Sequence, residues 1–170
     1  SLTDTRYLNG LKNSFLVAIM VTGFVLILAS LGGYALGRFK FRGKDQLYLM
    51  MMVIYMLPGI ALLTPIFLTY KSYGLLDTHV GIMFAHGTFL LPFATWMLKG
   101  VFESVPPELD DAAKVDGAGR VRILVSIFLP VCATEIAVTA IFLFLMSWNE
   151  FFFANVVAIE KAKTMPPTIM

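Results

Sequence analysis

The sequence predicts an all-α membrane protein, a bundle of transmembrane helices, from its composition and from the spacing of its charges. Of its 170 residues, 58% are hydrophobic and 14% are charged, whereas soluble domains have about 45–50% and about 25%. Between Lys12 and Arg38, and again between Asp45 and Lys71, 25 residues pass without an Asp, Glu, Lys or Arg. Each run exceeds the roughly 20 residues that a helix needs to cross the hydrocarbon layer of a membrane. The runs lack the period-2 alternation of barrel strands, so helices are the way to satisfy the backbone in lipid.

We predict four spans within a single transmembrane domain of residues 1–170, at about 13–37, 47–70, 78–98 and 129–149. The third run has no charged residue, and the fourth apolar stretch, Ile123 to Asn149, is interrupted only by Glu135. A charge at the bilayer centre costs up to about 3 kcal/mol. We therefore expect Glu135 near the cytoplasmic end of its span, snorkelling or paired within the bundle, in preference to a proton relay.

Basic residues predict the orientation of these spans. The loop 38–46 carries four Lys or Arg residues, whereas the loop 71–77 carries one Lys and one Asp. The excess of positive charge places the first loop in the cytoplasm. Alternation then places the segment 99–122 inside and both chain ends outside. Because the chain begins with Ser1 and ends beyond a Pro-Pro turn, we expect one further span on each side.

Small and kink-forming residues lie within the predicted spans. Ala29, Gly33 and Gly37 recur every four residues, which favours close approach of another helix or simply reflects the frequency of glycine in membrane helices. Pro58 with Gly59, and then Pro65, interrupt the second span, where they line a cavity or only kink the helix.

Two histidines, His79 and His86, share one face of the third span. With no third ligand at suitable spacing, they predict no metal site. For His86 two alternatives stay open, a pore-facing position and an interhelical hydrogen bond. Cys132 is expected to be a small apolar residue in a helix.

The segment 99–122 predicts a short helix outside the membrane. Its start combines a candidate cap, prolines at positions that need no N–H, and first-turn acids that face the helix dipole: Ser104, Pro106, Pro107, Glu108, Asp110 and Asp111. Leu109, Ala112 and Ala113 supply a small apolar face. Gly117 is expected to end the helix.

The same segment resembles the cytoplasmic loop motif of the membrane subunits of binding-protein-dependent ABC importers. In that motif E-A-A, D-G-A, F, I and L-P recur at fixed spacing; the corresponding residues are Asp111, Ala112, Ala113, Asp116, Gly117, Ala118, Leu124, Ile127, Leu129 and Pro130. Eight of the ten are identical, with Asp111 in place of Glu and Leu124 in place of Phe. The stretches YALGRFKFRGK, VPPELDDAAKVDGA and SWNEF are similar to the carbohydrate-uptake branch that includes the maltose permease's second subunit.

The resemblance implies a permease subunit of type I importers in the inner (cytoplasmic) membrane of a prokaryote. Its loop helix would dock on an ATP-binding subunit and transmit that subunit's closure through Leu109, Asp111, Ala112, Ala113, Asp116, Gly117 and Ala118. The implied partners are ATP-binding subunits, a second permease subunit, an extracytoplasmic solute-binding protein and the lipid bilayer. The chain has no G-x-x-x-x-G-K-[ST] segment, so we expect no enzymatic activity and no cofactor of its own, with ATP and Mg²⁺ bound by the partner. A net charge of +2 argues against nucleic acid.

Polar or soft residues in mid-span are our candidates for the solute pathway: Tyr55, Met56, Thr64, His86 and Thr88. Trp148, Asn149 and Glu150 are candidates for a gate or a binding-protein contact. The spans contain no Lys or Arg, which favours a neutral solute such as a sugar. The alternatives are import of a polyol, glycerol phosphate or polyamine by the same architecture, and a non-transporting membrane scaffold.

Overall fold

The computed structural model describes the backbone of residues 2–150, with side chains at 8 and 10–150. This part of the chain is helical and contains no β-strand, which confirms the predicted fold class. Its elements are α1 (Leu2–Arg38), α2 (Lys44–Met56), α3 (Gly59–Ser72), α4 (His79–Ser104), α5 (Pro107–Val115), α6 (Arg120–Ile123), a π-helical segment (Leu124–Phe128), α7 (Leu129–Val131) and α8 (Ala133–Trp148).

The centre of the fold is the contact between α1 and α4, with α8 packed against both. Ala29 is fully buried. A Cβ on Gly33 would lie 3.0 Å from the backbone nitrogen of Lys99, and one on Gly37 would lie 3.3 Å from the Lys99 carbonyl oxygen. The stripe of small residues therefore packs on the backbone of α4. The prediction that these residues allow another helix to approach closely is confirmed.

Within residues 2–150, two helices are each long and apolar enough to cross a membrane: α4 and the part of α1 from Gly10 to Arg38. Two further spans exist if each of two bent helix pairs counts as one: α2 with α3, and the segment Arg120–Val131 with α8. The bends measure 96° and 84°. The described residues thus provide two to four spans.

The second predicted span, 47–70, is not one straight helix. Leu57 is extended, with ψ 135°, because a following proline disfavours helical geometry and Pro58 has no N–H to donate. Pro65 lies within α3 and does not end it. The Thr69 hydroxyl donates to the Pro65 carbonyl, four residues earlier, at 2.8 Å. Only the first of the two proline sites breaks the helix.

The boundaries of the fourth span and of the loop before it also differ from the prediction. Residues 129–131 belong to a separate short helix that follows the π-helical segment, and α8 begins at Ala133 after the turn at Cys132. At the other end of the loop, α4 continues to Ser104, whose hydroxyl donates to the Val101 carbonyl at 2.8 Å. Ser104 therefore ends α4 and does not cap the next helix.

The two loops predicted to be cytoplasmic lie at the same end of the bundle. Arg38 contacts Asp110 of α5 at 2.8 Å, and Lys44 lies 3.9 Å from the carboxylate of Glu103 near the end of α4. We call this end, which carries residues 38–44 and α5, the basic end. At the opposite end, His79 at the start of α4 contacts Asn13 of α1.

Candidate coupling site

Helix α5 forms for local reasons that the sequence displays. Pro107 occupies the first turn, and the acids Glu108 and Asp110 face the positive end of the helix dipole. Asp111, which was also predicted as a first-turn acid, is the fifth residue of the helix and lies beyond that turn. At the other end, Gly117 has φ 75°, and the Ala118 N–H donates to the Ala113 carbonyl at 2.9 Å. This is the hydrogen bond of a Schellman motif, in which a glycine in left-handed geometry closes the helix. Gly117 therefore ends the helix as predicted.

One face of α5 is open and another is packed on the bundle. Asp111 has 73% of its side chain exposed and pairs with Lys114 at 3.0 Å. Val115, with 87% exposure, also points outward. Asp110 and Ala113 are buried. The exposed face is thus available to another protein, while the buried face holds α5 on the bundle.

The predicted apolar face of α5 borders a groove. Leu109, Ala112 and Ala113 line it together with Asp116 and Ala118, opposite side chains of α6 and the π-helical segment. The groove has a volume of about 280 Å³. Five of the seven predicted coupling residues thus line this groove. Of the other two, Asp111 faces solvent and Gly117 forms the turn that ends the helix.

Beneath α5, a buried arginine connects four parts of the chain. Arg38 Nε donates to Asp110 Oδ2 at 2.8 Å, and Nη1 donates to the Val105 carbonyl at 2.8 Å. The guanidinium carbon lies 5.0 Å from the centre of the Phe128 ring. This role is not visible in the sequence, where Arg38 indicates only the topology and Asp110 only a first-turn acid. A separation of 72 residues leaves no local signal for the pair.

Aromatic rings surround this arginine at the basic end. The Tyr34 and Phe128 rings lie 5.0 Å apart, and Phe102 lies 5.8 Å from Phe128, all in edge-to-face geometry. Phe39 joins them at 5.3 Å from Tyr34, and the Arg120 guanidinium lies 4.3 Å from the centre of the Phe39 ring. The ends of α1 and α4 and the π-helical segment therefore form one packed layer under α5.

Four of the five pathway candidates lie on exposed surfaces of the bundle. Tyr55 stacks on Phe93 with ring centres 5.9 Å apart, and Met56 is exposed directly before the bend at Pro58. Thr64 and Thr88 are exposed on α3 and α4. Their place in a solute pathway stays a prediction.

His86 differs from the other candidates because its side chain is buried between α4 and α8. Its Nδ1 lies 2.9 Å from the Ser147 hydroxyl, and its Nε2 lies 3.1 Å from a carboxylate oxygen of Glu150. The interhelical hydrogen bond predicted for His86 is therefore present, and the place of this residue along a solute pathway stays a prediction. The two histidines of the third predicted span contact different helices, since His79 Nε2 contacts Asn13 of α1.

The other residues singled out near α8 make local contacts, and a gate or binding-protein contact at Trp148, Asn149 and Glu150 stays a prediction. Trp148 stacks on Phe144 at 5.8 Å, and the Asn149 side chain donates to the Leu145 carbonyl at 2.8 Å. Glu135 is exposed in the first turn of α8, where its charge faces the helix dipole. Cys132 is buried at the bend.

The chain is similar to known membrane transport proteins. The family described as "Binding-protein-dependent transport system inner membrane component" matches residues 29–167. The chain is 37% identical to the putative ABC transporter permease protein ORF1 of Streptomyces antibioticus over 93% of this chain and 69% of that protein. It is 33% identical to the trehalose/maltose transport system permease protein MalG of Thermococcus litoralis over 92% of this chain and 56% of that protein.

A solved structure shares the fold. It is that of a bacterial ABC transporter involved in the import of the acidic polysaccharide alginate, with a TM-score of 0.82 and 23% sequence identity. The match covers 96% of this chain and 57% of the other. The chain thus corresponds to somewhat more than half the length of the proteins it resembles.

Proposed function

Because the chain belongs to the family of inner membrane components of binding-protein-dependent transport systems, we propose that it transmits the closure of a partner ATP-binding subunit to a solute pathway through α5. In this proposal ATP and Mg²⁺ are bound by the partner, and the chain itself catalyses no reaction. Alternating access then follows from rigid-body movement of helices around the pathway.

The observation that supports this proposal is the two-sided packing of α5. Its open face presents Asp111 and Val115 to solvent, while Ala113 packs into the core on the other side. The Schellman turn at Gly117 holds the helix in register with the chain that follows. A protein bound to the open face would therefore displace α5 together with the helices below it.

Exposed apolar surface on α2 and α3 supports the proposed membrane partners. Large side chains on these helices are at least half exposed, among them Leu49, Met50, Val53, Ile60 and Leu68. In a membrane such a surface faces lipid or another helix bundle. We assign it to the bilayer and to a second permease subunit, with an extracytoplasmic solute-binding protein as the remaining partner.

For the solute we propose a sugar. The Thermococcus relative is a trehalose/maltose permease, and the long apolar runs of this chain carry no basic residue that would attract an anion. A polyol, glycerol phosphate or polyamine is the alternative. Uptake of a labelled disaccharide in competition with each of these solutes by the assembled transporter distinguishes them.

The docking role of α5 is tested by Asp111→Asn in the complete complex, with Glu108→Gln as the matched control. Among the residues that the structure describes, Asp111 pairs only with Lys114, and such exposed pairs contribute about 0–1 kcal/mol. If Asp111 pairs with a basic group of the partner in a partly desolvated interface, its loss weakens docking by about 2–5 kcal/mol.

The measurements are copurification of the ATP-binding subunit and solute-stimulated ATP hydrolysis. We expect Asp111→Asn to reduce both and Glu108→Gln to leave both near wild type. Asp111 lies beyond the first turn of α5, so within the described part of the chain its loss removes only the exposed pair with Lys114, at a cost of at most about 1 kcal/mol. Wild-type values for Asp111→Asn would therefore contradict the pairing.

A further inference from the structure

We propose that Arg38 is a positioning residue that makes α5 move as one body with α1 and α4, so that displacement of α5 reaches the membrane helices. The inference rests on the proposed function, because it concerns how a displacement that begins at α5 is passed on.

The contacts of Arg38 carry this inference. Arg38 is the last residue of α1, and its guanidinium bonds to Asp110 of α5 and to the Val105 carbonyl that follows α4, each at 2.8 Å. The guanidinium carbon also lies 5.0 Å from the centre of the Phe128 ring in the π-helical segment. A single side chain therefore joins α5 to three elements that meet at the basic end.

The burial of this pair distinguishes it from the other ion pairs at the same end. The Arg38 and Asp110 side chains are 9% and 11% exposed, whereas Glu103 is 41% exposed in its pair with Lys99. Exposed pairs contribute little to stability, but an unmatched charge left in an enclosed site is strongly unfavourable. The Arg38–Asp110 geometry is thus held in place, while the more exposed Glu103 carboxylate can rearrange in solvent.

The packing around α5 explains why this link matters for movement. The groove of about 280 Å³ separates the Leu109 and Ala112 side of α5 from α6 and the π-helical segment. On that side α5 has space to tilt. The connection through Asp110 lies on the buried side, so it limits how far α5 moves without α1.

The chemistry of arginine makes the proposal testable with a conservative variant. The guanidinium donates from Nε and Nη1 in two fixed directions, with its carbon 5.0 Å from the centre of an aromatic ring, and an ammonium group cannot reproduce this combination. Arg38→Lys keeps the charge beside Asp110 but loses the fixed fork. We expect the variant to assemble with its partner subunits yet to couple poorly.

The experiment uses the complete transporter reconstituted in lipid vesicles, with solute uptake and ATP hydrolysis measured on the same preparation. Beside Arg38→Lys, the double variant Arg38→Met with Asp110→Leu removes both charges, which avoids an unmatched buried charge. Glu103→Gln is the matched control, because Glu103 is 41% exposed and its ion pairs with Lys99 and Lys44 lie at the same end. We expect uptake per ATP to fall about tenfold in both Arg38 variants, a typical size for coupling between sites, and to stay at the wild-type value in the control.

A purely structural role predicts a different result. It would lower the yield or thermal stability of the complex, but assembled Arg38 variants would transport as much solute per ATP as wild type. That result, in either Arg38 variant that assembles, overturns the proposal. Failure of the proposed function is recognised separately, because the wild-type complex would then show no copurification of the ATP-binding subunit or no ATP-driven uptake.

Discussion

Replacing Gly33 with alanine is expected to destabilise the bundle at the α1–α4 contact. A Cβ at this position would lie 3.0 Å from the Lys99 nitrogen and 3.1 Å from the Leu98 carbonyl carbon. Favourable contacts between carbon atoms lie at about 3.5–4.0 Å, so the two helices would have to separate by about half an ångström. Backbone atoms cannot rotate away as a flexible side chain can. We therefore expect a cost in the range found for overpacked cores, about 1–3 kcal/mol.

Gly23 provides the matched control in the same helix. A Cβ built there meets no atom of the described part of the chain within 4 Å. Gly23→Ala should therefore gain the usual preference of alanine over glycine in a helix, about 0.5–1 kcal/mol. The free energy of unfolding of both variants can be measured by titrating the purified protein from a mild detergent into a denaturing one. Equal stabilities of Gly33→Ala and Gly23→Ala would refute the packing argument.

Three further predictions concern a turn, a cap and the topology. Gly117→Val places a β-branched residue at φ 75°, which costs about 1–2 kcal/mol, and should reduce ATP-driven uptake, whereas Gly117→Asn should retain more of it. Thr78→Ala removes the hydroxyl that accepts from the amide three residues on at 2.9 Å, and should lower the unfolding free energy by about 1 kcal/mol. Cysteines at Lys44 and Lys114, in a Cys132→Ala background, should resist an impermeant thiol reagent in whole cells. Labelling of both from outside would contradict the predicted orientation.

Features with local causes were predictable from the sequence. The length and apolarity of the long helices appear in the charge-free runs, and the small residues at Ala29, Gly33 and Gly37 share one helix face because they recur every four residues. The end of α5 at Gly117 follows from the preference of left-handed backbone geometry for glycine. Each of these signals lies within a few residues of the structure that it causes.

Features that depend on residues far apart in the chain were not predictable. Arg38 and Asp110 are separated by 72 residues, and His86 and Ser147 by 61. Only the packing of α1, α4 and α8 brings these partners together. The angle of the sharp turn at Cys132 was not predictable either. The proline two residues earlier indicates a local irregularity but does not determine the 84° bend.

The most direct test of the account is a cross-link from the open face of α5. A photoreactive amino acid at Val115, which is 87% exposed, is compared with one at Tyr73, which is 76% exposed next to the end of α3, away from the basic end. Illumination of the assembled transporter in native membranes is followed by identification of the cross-linked subunit. We predict that Val115 captures the ATP-binding subunit and that Tyr73 does not. Capture from neither position, or from Tyr73 alone, would contradict the claim that α5 docks on that subunit.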